Sequence, residues 1–101
     1  MTYRESFEPK TVAGDRTLTF DFGTLLASGE TISSASVVGS LYSGADTSPS
    51  SIISGSASIS GTQVSQLVID GEVGTAYLLT CTVVTSSGQS LVRTGLLVVI
   101  A

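Results

Sequence analysis

Two runs near the C-terminal end, Ala76-Tyr77-Leu78-Leu79-Thr80-Cys81-Thr82-Val83-Val84-Thr85 and Ser90-Leu91-Val92-Arg93-Thr94-Gly95-Leu96-Leu97-Val98-Val99-Ile100, decide the fold. In the first, Tyr77, Leu79, Cys81 and Val83 share one face, while Leu78 and Val84 lie on the other with Thr80 and Thr82. In the second, Val92, Leu96, Val98 and Ile100 share one face. Alternation with period two is the mark of a strand, and β-branched residues are stiff at χ1 and sit well on a pleated surface. Ser86-Ser87-Gly88 between the runs reads as a tight hairpin loop.

The same pattern, in weaker form, extends upstream. Thr17-Leu18-Thr19-Phe20-Asp21-Phe22 alternates, with Leu18, Phe20 and Phe22 on one face, and Gly23 stops it. Leu25-Leu26 is expected to plug one end of the core. Thr31 to Ser40 is a weak strand in which Ala35 and Val37 face inward and Ile32 marks a bulge or a change of face. Leu41 to Ser51 is rich in turn formers and reads as a loop. Ile52 to Ser60 and Val64 to Asp70 follow as strands, broken at Gly61. Turn signals every 8–12 residues and about six or seven strands predict an all-β, antiparallel Greek-key sandwich. Residues 1–14 hold much of the local charge with Pro9 and Gly14, so they read as an arm, and 15–101 as the domain.

Tyr77 follows Gly74-Thr75-Ala76 at the start of the penultimate strand, where such sandwiches carry a tyrosine corner: ring in the core, hydroxyl bonded to nearby backbone. It lies four residues before Cys81. An antibody-type domain would have two, so the spacing points to a generic Ig-like sandwich. Cys81 itself alternates with Leu79 and Val83 and is expected to pack as a small core hydrophobe. Tyr77 and Cys81 are thus read as structural residues.

Composition narrows the chemistry. The chain has 101 residues, net charge −4, no His, no Trp and one Cys. One domain of this length buries roughly 65% of its unfolded surface, enough for a core without staples. Without His there is no Ser/His/Asp triad, no Cys/His dyad and no histidine-ligated metal. A single Cys excludes an intrachain disulfide or a CxxC motif. Asp21 with Glu30, and Asp70 with Glu72, are the carboxylate pairs a hydrolase could use, but turn carboxylates in a small domain meet by chance. Asp70 and Glu72 lack the spacing of a calcium loop. No enzyme and no cofactor is expected.

Arg4, Lys10, Arg16 and Arg93 are scattered, which argues against nucleic acid. The longest apolar run, Leu96 to Ala101, is far short of a membrane-spanning helix. Met1 to Glu5 is polar and mixed, not the start of a signal peptide, so a cytoplasmic location is expected. Only 12% of residues are charged, while 18 Ser and 13 Thr must coat much of the surface. So little charge suits a domain packed among partners. Candidate interface residues are Tyr3 and Phe7 in the arm, which either staple their own sheet or dock on a neighbour, and Tyr42 with Ile52 and Ile53 beside the Ser/Gly-rich loop.

Further features carry a family resemblance. Phe20-Asp21-Phe22, Leu25-Leu26 and Ser28-Gly29-Glu30-Thr31-Ile32 resemble the opening of small tailed-phage structural proteins, the fiber-tail adaptors. Ser60-Gly61-Thr62-Gln63-Val64, Gly71 to Tyr77, and Val83 to Arg93 resemble later elements of the same family, in the same order. The similarity spans roughly residues 8–100, and the long segment from Gly39 to Ser60 departs from it. It implies an Ig-like sandwich that is a non-enzymatic virion component near the neck or tail. Its partners would be portal, tail or fiber proteins and copies of itself in a ring, assembled in the host cytoplasm. Residues 1–14 are then expected to be extended and to contact another chain. The competing expectation is a carbohydrate- or surface-binding Ig-like module, for which a chain with three Tyr and no Trp offers few aromatic platforms.

Overall fold

A computed structural model of the chain describes residues 4–7 and 10–101. The arm contributes β1 (Arg4–Ser6) and β2 (Lys10–Thr11). The domain follows with β3 (Arg16–Asp21), β4 (Ile32–Ser43), β5 (Ile53–Ser60), β6 (Gln63–Val68), β7 (Ala76–Thr85) and β8 (Ser90–Ile100). A short 3-10 turn, Pro49–Ile52, precedes β5. The strands form two sheets. The larger has the order β1-β8-β7-β4, with β2 continuing the line of β1 along β8, and the smaller the order β3-β6-β5. In Ig terms β3, β6 and β5 take the places of B, E and D, and β4, β7 and β8 those of C, F and G. The chain is an all-β sandwich.

The hairpin read first from sequence is its frame. β7 and β8 pair antiparallel from Ala76↔Val98 to Val84↔Ser90 without a shift. The loop between them closes with Thr85 N–H on the Gln89 carbonyl and Gly88 N–H on the Thr85 carbonyl. β7 then pairs β4, with bulges between Ile32 and Ser34 and between Leu41 and Ser43. The first bulge lets Ile32 face the core while Ser34, also even-numbered, faces out. β4 runs on through Leu41 and Tyr42 to Ser43, where turn-forming composition reads as loop.

The core lies between the sheets: Leu18, Phe20 and Phe22 from β3 and its end, Val64 and Val68 from β6, and Tyr77, Leu79, Cys81 and Val83 from β7. β8 adds Leu97 and Val99, so Val92, Leu96, Val98 and Ile100 form its outward side. Alternation alone could not tell these two faces apart, since both are apolar. Leu25 and Leu26 also part company. Both donate N–H to the Phe22 carbonyl in one helical turn, which points Leu26 at the core and leaves Leu25 exposed.

The arm lies along β8 of its own chain. β1 and β2 run parallel to β8, with Arg4 opposite Thr94 and Lys10 opposite Val99. Phe7 N–H bonds the Leu96 carbonyl at 2.9 Å, and its ring meets Phe20 edge-on at 5.4 Å. Gly95 makes room for that ring, because a Cβ there would overlap Phe7. Lys10 is fully buried, and its Nζ donates to the carbonyls of Asp70 at 2.6 Å and Thr11 at 2.8 Å. It ties the arm to the β6–β7 turn, where Asp70 adopts positive φ. Gly95→Ala is therefore expected to destabilise the chain by about 1–3 kcal/mol in urea unfolding. It should also speed amide exchange at Arg4–Ser6 and Phe7. Unchanged exchange there would contradict the ring's role.

Candidate docking surface

The two sheets turn different faces to solvent. Outward positions of the small sheet are mostly hydroxyl and amide, Thr17, Thr19, Ser65 and Gln63, with Asp21 and Leu67 among them. On the large sheet Arg4 and Ser6 of β1 stand opposite the outward Thr94 and Leu96, at the edge of the face, while the outward positions of β4, β7 and β8 are the even-numbered residues 34–40, 76–84 and 90–100. None of these positions on β4, β7 and β8 carries an ionisable side chain and none is buried. Cross-strand pairing places Leu78 beside Leu96 and Ala76 beside Val98. Val92 is 54% exposed, Val38 57% and Ile100 43%. These apolar side chains stand among Ser34, Ser36, Ser40, Thr80, Thr82, Ser90 and Thr94, so the face is uncharged and mixed apolar and hydroxyl, and its exposed apolar side chains suit association.

The sequence-level candidates lie elsewhere. Tyr42, at the end of β4, is half exposed. Ile52 is 1% exposed and belongs to the core, because the turn that carries it folds under Gly39. Ile53 and Phe7 are half-buried against the same core. Tyr3 lies outside the described residues. The uncharged face had a signal of its own: Leu78 and Val84 share the parity of Val92, Leu96, Val98 and Ile100, and antiparallel pairing brings the two sets side by side.

The polar groups at the ends of the sandwich serve its own turns. The Tyr77 ring is fully buried; its hydroxyl accepts the Glu72 N–H at 2.8 Å and donates to Asp46 Oδ2 at 2.6 Å. Gly71, at positive φ, lets backbone pass this ring and Val99, where a Cβ would collide. Burial and the Asp46 carboxylate push the Tyr77 hydroxyl up to about 12. Cys81 is buried opposite Arg93 in the ladder, and burial pushes its thiol up to about 12 as well. The Arg93 guanidinium reaches Thr24 Oγ1 at 3.0 Å.

Asp21 accepts the Gly23 N–H, and this bond first of all holds its carboxyl below the usual range. Glu30 accepts from Ser87 and Thr85 hydroxyls and from the Ala27 N–H, binding the turn before β4 to the β7–β8 loop. Those bonds, Ser87's above all, lower its pKa; Tyr77 and then the Ser48 N–H lower that of Asp46. Between Glu30 and Ser87 lies an open depression lined by Ala27, Ser28, Gly29 and Ser86. Among the described residues no group of three or more His, Cys, Asp or Glu could hold a metal ion. No helix among them is long and apolar enough to cross a membrane.

A β-sandwich of this kind, with carboxylates tied into its turns and one broad uncharged face, is an all-β structural module. Residues 10–98 match the family described as podophage GP4 fiber-tail adaptor protein gp77, and the chain belongs to that family. A comparison with curated proteins found none that matches.

Two measurements follow from this geometry. Glu30 and Asp46 have ordinary values of 4.5 and 3.8, and both are lowered by folding. Their contribution to stability is complete above those values and is lost as pH falls through the depressed ones. The urea midpoint is expected to be flat from pH 7 to 5 and to drop below about pH 4. Glu30→Gln with Asp46→Asn should lower the midpoint at pH 7 and flatten the acid drop; an unchanged acid slope would contradict it. A native chain should leave Cys81 unreactive toward a disulfide reagent until it is unfolded. Full thiol labelling within minutes, without unfolding, would contradict the burial.

Proposed function

We propose that the chain is a non-enzymatic virion component that joins podophage tail and fiber proteins and is held in the particle by docking of the outward face of β4, β7 and β8. The observation that carries this is the absence of any ionisable group from the outward positions of these three strands, with Arg4 of β1 only at their edge, in a chain of net charge −4. Burying an unpaired charge at an interface is costly, and a face without charge escapes that cost. The description of the family supports the partners: a fiber-tail adaptor meets tail and fiber proteins. The chain would be present in repeated copies in a ring, assembled in the host cytoplasm, with the face covered in the finished particle. In this reading residues 15–101 form the docking domain and residues 1–14 its arm, with Tyr42 at the rim.

Val92 points outward and is half exposed, so lysine there leaves the fold intact. In phage carrying Val92→Lys, quantitative mass spectrometry of purified particles is expected to find at least about tenfold less of this chain. Soluble, folded variant should accumulate in the infected cell. Incorporation at the wild-type level would overturn the docking role of this face.

A further inference from the structure

We infer that the occupant of the uncharged face is a second copy of this chain, stacked sheet on sheet about a twofold axis. The inference rests on the docking reading above and names its partner. Area is the first argument. Strands of about 11 residues at about 3.3 Å rise, three abreast at about 4.8 Å, span roughly 500 Å². Two copies face to face thus bury about 1,000 Å² or more, the threshold for a stable biological interface.

Charge and shape supply the second argument. A partner chosen by electrostatic complementarity would be read by charged positions, and the outward positions of β4, β7 and β8 have none, Arg4 standing only at the edge beside Thr94. Its match is another surface equally free of charge, and an identical face meets that condition wherever the two are laid together. At the Ala76–Ile100 end the face is apolar like the interior, and hydroxyl side chains fill the rest of it. Leu78, Leu96, Val98 and Ile100 on one side of the hairpin mirror Leu79, Val83, Leu97 and Val99 on the other. Sheets with such faces pack about 10 Å apart with their strands within about 30° of each other. A twofold contact is isologous and closes on itself, so the pair neither grows into fibres nor leaves the face open. The turns around Glu30 and Ser87 at one end stay uncovered for other proteins.

The test is sedimentation velocity of the full chain from about 1 to 200 μM, a range that spans ordinary dimer affinities. Wild type is expected to shift from the 10.2 kDa monomer to twice that mass. Val92→Lys and Val98→Lys should each raise the dimer dissociation constant at least tenfold, with circular dichroism unchanged. Leu67→Lys, on the outward face of the other sheet, should leave the constant alone. A wild-type chain that stays monomeric throughout, or lysine variants that dimerise as tightly as wild type, would overturn the inference. If wild type is monomeric and Val92→Lys is nonetheless lost from particles, the second copy is wrong and the docking face stands. If Val92→Lys abolishes the dimer yet enters particles in full, the dimer stands and the docking role fails.

Discussion

The unbroken register between β7 and β8, from Ala76↔Val98 to Val84↔Ser90, constrains the rest of the molecule. A strand pair has two faces, and in this one both are apolar. Tyr77, Leu79, Cys81, Val83, Leu97 and Val99 face the small sheet and are fully buried. Their neighbours of opposite parity face away from the small sheet and are half-buried or exposed. A slip of one residue would exchange the two sets. Register is therefore held by side chains that only the inner face can accommodate: the Tyr77 ring with its hydroxyl bonds, and Gly95 beneath Phe7.

Around this ladder, buried polar groups act as fasteners. Lys10 caps carbonyls of the arm and of Asp70. Gln66, buried on β6, donates to the Ser54, Gly55 and Leu67 carbonyls and steadies the irregular stretch of β5. Tyr77 joins the Glu72 backbone to Asp46, so the segment before β7 and the loop after β4 move as one. Lys10, Gln66 and the Tyr77 hydroxyl each donate to carbonyl or carboxylate oxygen, as a low-dielectric interior requires. None of these groups meets the outward face of the large sheet. On that face the Ser40 hydroxyl donates to the Leu78 carbonyl within the sheet.

The succession of strands along the chain, the hairpin and most of the core were legible in the sequence, because period-two alternation and glycine punctuation are local signals. The ends of β7 and β8 fall where the pattern breaks, and Ala35, Val37 and the bulge at Ile32 follow it too. Less local features were hidden. Lys10 reads as a scattered cation, yet its stem lies in the core and only its carbonyl partners, remote in sequence, explain that. Ile52 reads as a surface residue beside a loop, but a short turn tucks it under β4. For β8 the choice of inner face depends on which residues oppose Tyr77 and Leu79, and only pairing reveals it. The uncharged face was missed for the same reason: its members are scattered over three strands.

Solvent exposure of that face, in the free chain and in the particle, is the quantity on which the account stands. Hydroxyl-radical footprinting reads it directly, by comparing oxidation of Leu78, Leu96, Val98 and Ile100 in dilute free chain and in purified virions, with exposed Leu67 as the internal reference. The account predicts that these four side chains lose most of their reactivity in the particle while Leu67 keeps a larger share of its own. Equal reactivity of the four in both states would contradict it.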